Sequence, residues 1–149
     1  MTYVESSKAD KKAQKAKAEY IDRIEKILLK LQREKIKNNN NSSYDNLIEE
    51  TLNRLIEARP VQQYHWHSSK FLTTKMPIGK CKCDDGKIRY LWEDEECYYT
   101  WDFQHKGEVE AFHKETKKHV GVLDKDEGGP ILGKKIHPTR KIVEIYEEN

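Results

Sequence analysis

The spacing of the apolar residues changes at residue 61, and that change limits what the chain can become. Before it, apolar side chains recur every three or four positions, the period of a helix that buries one stripe. After it they alternate over short runs broken by glycine and proline, the period of strands. Residues 8–37 are rich in Ala, Lys, Glu and Leu, all good helix formers. Tyr20, Ile21, Ile24, Ile27, Leu28 and Leu31 mark the expected stripe. The first two turns carry only alanine there, so they are expected to project into solvent. Asn38–Asn41 ends the helix, because asparagine side chains compete for the backbone. A second helix is predicted next, capped by Ser42 or Ser43, with Asp45 at its positive end and Pro60 as its stop. Its apolar face is Tyr44, Leu47, Ile48, Leu52, Leu55 and Ile56. Together they read as an antiparallel helical hairpin that either packs on the body of the protein or serves docking or delivery.

From Val61 onward, residues 61–80 read as irregular, with Pro77 and Gly79 as breakers. Strands are expected at 87–92, 97–103, 108–112, 119–123 and 141–146, with a glycine-rich loop over 124–133. Short strands at close spacing favour an antiparallel meander over βαβ units. The expected fold is α+β: a helical region at residues 1–60, then a highly twisted antiparallel sheet at 61–149.

At 149 residues the chain can hold one domain with a modest core, or a small domain plus an appendage. Its net charge of +2 gives no general argument for a nucleic-acid partner. Residues 61–149 hold 15 Lys and Arg against 16 Asp and Glu, so that part is about neutral. No apolar run approaches the roughly 20 residues needed to cross a bilayer. The first dozen residues are charged and lack the apolar core of a secretory signal. Cys81, Cys83 and Cys97 are an odd set without framework spacing, and are expected to be free thiols in a reducing compartment.

The chemistry gathers in the predicted hairpin from Tyr98 to Phe112, with its bend near residues 104–107. Alternation sends Glu108 and Glu110 to one face and Val109 and Ala111 to the other, with Asp102 and His105 near the bend. A ribonuclease that needs no metal requires a base for the ribose 2′-hydroxyl, an acid for the departing 5′-oxygen and a cation for the phosphoryl oxygens. Glu110 or Glu108 can be the base, His105 the acid, and Arg140 the cation. Histidine suits the acid role because its free pKa lies near 6.5. Arginine suits the cation role because its planar fork can donate two bonds to one phosphate. Lys134, Lys135, His137, Arg140 and Lys141 form a basic cluster. With Tyr99, Trp101 and their aromatic neighbours, it could receive an RNA backbone while bases stack nearby. His65, His67, Cys81 and Cys83 suggest a competing zinc-binding interaction module, although the usual ligand spacings are absent. A second competitor is a non-catalytic RNA- or protein-binding module on the same sheet.

Tyr99, Trp101, Asp102, Gln104, His105, Gly107, Glu108, Val109 and Glu110 stand in the order of a known pattern. It continues through His119-Val120-Gly121, the glycine loop, and Pro138-Thr139-Arg140. In these residues the chain resembles the cytotoxic ribonuclease domain of the ribosome-cleaving colicins and cloacin. The resemblance covers about the last 60 residues. It implies an active site of Asp102, His105, Glu110 and Arg140, supported by Glu108, beside which the residue types themselves suggest RNA contacts from Tyr99, Trp101, Lys134, Lys135 and Lys141. It implies cleavage of small-subunit ribosomal RNA in the decoding centre of a target bacterium, leaving a 2′,3′-cyclic phosphate, without a cofactor. It also implies a tightly binding acidic immunity protein. Lys106 is an extra residue between His105 and Gly107, a length that a bulge or longer turn can absorb. His137 stands where the family has aspartate. The family domain is strongly basic and residues 61–149 are neutral, so its hold on RNA is expected to be weaker or to rely on local patches. Two delivery routes are consistent with the sequence: an intracellular toxin paired with an antitoxin, or the end of a larger secreted toxin.

Overall fold

A computed structural model describes residues 7–59, 65–102, 107–131, 133–134, 136–137 and 139–148. Helix α1 spans Lys8–Lys37 and α2 spans Asp45–Ala58. Ser7 and Asp10 form a capping box at the start of α1. Asn39 and Asn40 take positive φ angles of 57° and 58°, so the asparagine run turns the chain as its composition suggests. Asn41 rather than a serine caps the 3₁₀ turn that leads into α2, through a bond from the Ser43 N–H to its Oδ1.

Six antiparallel strands follow: β1 Met76–Cys83, β2 Ile88–Glu93, β3 Cys97–Asp102, β4 Glu108–His113, β5 His119–Leu123 and β6 Ile142–Glu147. Their order in the sheet is β5-β4-β3-β2-β1-β6. The α+β expectation holds, and five strands fall where the alternation places them. Strand β1 does not: Pro77 and Gly79 read as breakers, yet they sit in a strand between β2 and β6. The register slips between them, which accommodates both residues. Gly79 has φ 140°, and a Cβ there would lie 2.1 Å from the Tyr146 carbonyl oxygen. The glycine thus permits a close approach of β6 rather than ending the strand.

The helices pack on one face of the sheet. Ile24, Leu28, Leu29 and Leu55 share a core with Trp66, Leu72, Trp92, Tyr99, Val109 and Ala111. The region before residue 61 therefore contributes to the same core as the sheet. The buried stripe of α1 is rotated from the expected one: Tyr20 and Ile27 are 43% and 51% exposed, while Glu25, Gln32 and Arg33 are buried. The cause is a set of polar ties to the sheet side. Gln32 Nε2 donates to the carbonyls of Leu72 (2.8 Å) and Lys75 (3.0 Å), and Arg33 Nε donates to that of Pro77 (3.0 Å). Backbone carbonyls offered to this side of α1 favour long polar side chains over apolar ones.

Beside this core, Arg59 pairs with Glu25 and donates from Nε to Nδ1 of buried His65 at 3.0 Å. Burial first, and then the Arg59 charge, hold His65 and His67 down at about 4. Both rings therefore fold uncharged but ionise near 6.5 in the unfolded chain. The unfolded state then binds more protons between those values, so stability is complete above pH 6.5 and declines as pH falls toward 4. Thermal unfolding is expected to shift down between pH 7 and pH 5. A His65→Gln/His67→Gln variant is expected to show a flatter profile over that interval.

On the face turned away from the helices, Cys81, Cys83, Leu91, Phe112 and Ile142 form a second, smaller core. All three cysteines are free. This arrangement rules out the zinc reading: His65 and His67 lie on the helix side and Cys81 and Cys83 on the other. Among the described residues no three metal-capable side chains converge. Nor is any described helix long and apolar enough to cross a membrane.

Candidate active site

The far face of the sheet collects the charged groups that the hairpin promised. Strands β3 and β4 pair with Thr100 opposite Glu110 and Asp102 opposite Glu108. Alternation then puts Glu108, Glu110 and Phe112 on the far face and Val109 and Ala111 in the helix-side core, as expected. Of the bend itself only Gly107 is described, with φ 88°. Residues 103–106, with His105, lie outside the described residues, as does Lys135.

Arg140 reaches this face by an unusual route. The chain entering β6, at one edge of the sheet, first bridges to the chain entering β5, at the other edge, through Lys118 and Lys141. The His119 N–H donates to the Arg140 carbonyl at 3.0 Å, and the Ile142 N–H to that of Lys117 at 2.9 Å. The Lys141 carbonyl accepts from the Asp84 N–H at 3.0 Å. Residues 139–142 thus form a strap that joins the two sheet edges at one end. It carries Arg140 over Glu110, 30 positions earlier in sequence, where guanidinium NH1 donates to Oε1 at 2.5 Å.

Glu110 is buried, at 3% exposure, and two further groups surround it. The Nε2 edge of buried His119 stands 3.6 Å from Oε1. His119 Nδ1 accepts the backbone N–H of His137 at 3.0 Å, so the ring carries its proton on Nε2, facing the carboxylate. Arg89 on β2 adds a positive charge nearby. Its guanidinium forms a two-point pair with Asp85, at 3.2 and 2.8 Å. Burial raises the Glu110 pKa. The imidazole of His119 and the charges of Arg140 and Arg89 outweigh it, and the net shift is downward. A carboxylate so placed is ionised at neutral pH although it is almost wholly buried. Thr100 Oγ1, opposite it on β3, and His119 Nε2 are buried with no hydrogen-bond partner among the described residues.

The structure brings together Glu108, Glu110 and Arg140, with Asp102 across from Glu108. Lys134 lies beside them, 3.2 Å from Glu108 Oε1. Lys141 is exposed at the strap. Tyr99 and Trp101 are not brought to this face. Tyr99 pairs with Ala111 and Trp101 with Val109, so alternation sends both into the helix-side core. The Tyr99 hydroxyl donates to Asp94 at 2.6 Å, and its ring stands edge-on to Phe71. Tyr99, only 6% exposed, is thus held in the core rather than offered to a base. The opposite parity of Tyr99 and Asp102 along one strand already carried this information. Arg89, Asp85 and Thr100 are not among the site residues that the sequence singles out, and His119 enters there only within the His119-Val120-Gly121 match. A histidine at the start of a predicted strand and one of two arginines after residue 61 were the available signals.

Comparison with known proteins adds one finding. A family model described as Cytotoxic matches residues 62–143, more than half of the chain. That span includes every site residue named above and excludes α1 and α2. Neither the curated proteins nor the solved structures give a match.

Proposed function

Because the chain belongs to the Cytotoxic family of colicin-type ribonuclease toxins, we propose that it cuts small-subunit ribosomal RNA in the decoding centre and so stops translation. The observation that supports this most is Glu110: a buried, ionised carboxylate with an arginine on one side and an imidazole N–H on the other. In this reading Glu110 takes the proton from a ribose 2′-hydroxyl, and the freed oxygen attacks the adjacent phosphorus. His105 protonates the departing 5′-oxygen, and Asp102 orients that histidine. The products are a 2′,3′-cyclic phosphate and a 5′-hydroxyl. Arg140 holds a phosphoryl oxygen while keeping Glu110 in place, since a guanidinium has N–H donors to spare for both. Glu108, paired with Lys134, supports the acidic end of the hairpin. The acid, the base and the cation are all side chains, so chelating divalent ions during the assay is expected to leave cleavage intact where the ribosome itself survives the treatment.

The neutralising partner in this reading is an acidic immunity protein that covers the far face. Site of action is the cytoplasm of the target bacterium. Primer extension on intact bacterial ribosomes tests the proposal: the wild-type chain is expected to give one strong stop in the decoding centre. His105→Ala is expected to weaken it by a factor of about 10²–10⁴, the span of a lost general acid. No stop at any enzyme concentration, or a stop unchanged by His105→Ala, would remove the assignment.

A further inference from the structure

The proposed reaction needs a polyanion held against this face, yet four of the cations described there already sit in ion pairs. Arg140 is paired with Glu110, Lys134 with Glu108, Arg89 with Asp85 and Lys114 with Glu93. Residues 61–149 are about neutral as a whole. Cations elsewhere on the chain can add to exposed Lys141 in attracting RNA, because each unpaired cation that meets a phosphate contributes through counterion release.

The first turns of α1 supply such cations. Residues 7–20 are all exposed, and the helix-side core begins only with Ile21 and Ile24. Lys8, Lys11, Lys12, Lys15 and Lys17 stand in this stretch, and none makes an ion pair with a described carboxylate. Of the two acids in the stretch, Asp10 is occupied by the capping box and Glu19 stands at its far end. Lys8, Lys11, Lys12 and Lys15 are three or four positions apart, so they line one face of the helix. The arrangement is unfavourable for an isolated helix. Like charges at these spacings repel, and lysines in the first turns add to the positive end of the helix dipole. A polyanion along that face relieves both terms.

We propose that the Lys8–Lys15 face of α1 is an RNA-backbone docking arm, which holds the toxin on its ribosomal substrate through phosphate contacts without reading sequence. It rests on the RNA-directed reading above and adds the place where the RNA is gripped. At 1.5 Å per residue the exposed stretch reaches about 20 Å along the helix axis. An anionic lipid surface is the weaker match. The apolar side chains of residues 8–18 are alanines alone, too little area to enter a bilayer interface.

The test measures binding without turnover. The full chain carrying Glu110→Gln is titrated with a fluorescent single-stranded oligoribonucleotide across a salt series. It is compared with the same chain carrying Lys8→Gln, Lys11→Gln, Lys12→Gln and Lys15→Gln, and with one carrying arginine at those four positions. The glutamine variant is expected to bind at least about tenfold more weakly at 0.1 M salt. Its slope of log affinity against log salt should be shallower by about 3, from four lost contacts at roughly 0.7 each. The arginine variant, which keeps the charge on the same helix, should bind like the parent. Equal affinity and slope in the glutamine variant would overturn the inference. So would loss of binding to anionic phospholipid vesicles with RNA binding unchanged. A chain that binds RNA through these lysines but leaves ribosomes uncut would refute the proposed function and leave this inference standing. A chain that cuts ribosomes with the same KM in both forms would do the reverse.

Discussion

Glu110→Gln is expected to reduce ribosome cleavage by a factor of about 10²–10⁴ with little change in ribosome affinity, because it removes a base and almost nothing else. The glutamine keeps the shape of the side chain and still offers an oxygen to Arg140, so the strap over the site is retained. What disappears is the ability to take a proton. The cost in stability is expected to be about 1–2 kcal/mol, since the guanidinium trades a charged partner for a neutral one. The pH dependence carries the same signature. The base works only when ionised, and the groups around Glu110 hold its pKa below the ordinary 4.5. Activity limited by this group therefore declines only below about pH 4.5. Stability follows the same sign: the Glu110 contribution is complete above the unfolded pKa and is lost as pH falls through the lower folded value.

Arg140→Ala is expected to reach further than loss of a phosphate contact. Cleavage should fall by about 10²–10³, the usual effect of removing one group that stabilises developing charge. The fold should also lose about 2–3 kcal/mol, because a buried carboxylate is left without its cation. This lies just below the usual range for broken buried pairs, about 3–5 kcal/mol, because the Arg140 side chain is 26% exposed. Burial of Glu110 would then be opposed by fewer charges, so its pKa rises. The acid limb of the pH–rate profile should move to higher pH, a displacement that general loosening of the fold would not produce. Arg140→Lys should restore part of the stability and less of the rate, since an ammonium lacks the planar fork needed to serve carboxylate and phosphate together. Denaturant unfolding and single-turnover cleavage on the same preparations separate the two effects.

The elements that were legible in the sequence are those whose period is strong and local. The ends of α1 follow from Lys8 to the asparagine run. The parity of the hairpin follows from Glu108 and Glu110 alternating with Val109 and Ala111. Strand β1 was hidden because Pro77 and Gly79 resemble punctuation until a neighbouring strand passes within contact of the Gly79 backbone. The burial of Glu25, Gln32 and Arg33 was hidden for a similar reason. Their partners are groups on other elements, among them the carbonyls of Leu72, Lys75 and Pro77, which no helical period reports. In the site, Glu110 and Arg140 could be named from residue type and order. Their meeting depends on the strap that joins the sheet edges, and that is a property of the whole topology. His119 was placed beside Glu110 by the same strap. Tyr99 and Trp101 show the converse: aromatic type suggested stacking on RNA, while strand parity sent them to the core.

The most direct test of the central claim is the chemistry of the cut ends. Ribosomal RNA cleaved by the wild-type chain is isolated, and the new termini are identified by 5′-labelling with and without prior phosphatase, and by mass spectrometry of the 3′ fragment end. If Glu110 activates a ribose hydroxyl under the grip of Arg140, the break carries a 2′,3′-cyclic phosphate and a 5′-hydroxyl that labels without phosphatase, and Glu110→Gln all but eliminates both. A 5′-phosphate opposite a free 3′-hydroxyl, or cyclic ends formed as fast by Glu110→Gln, would contradict it.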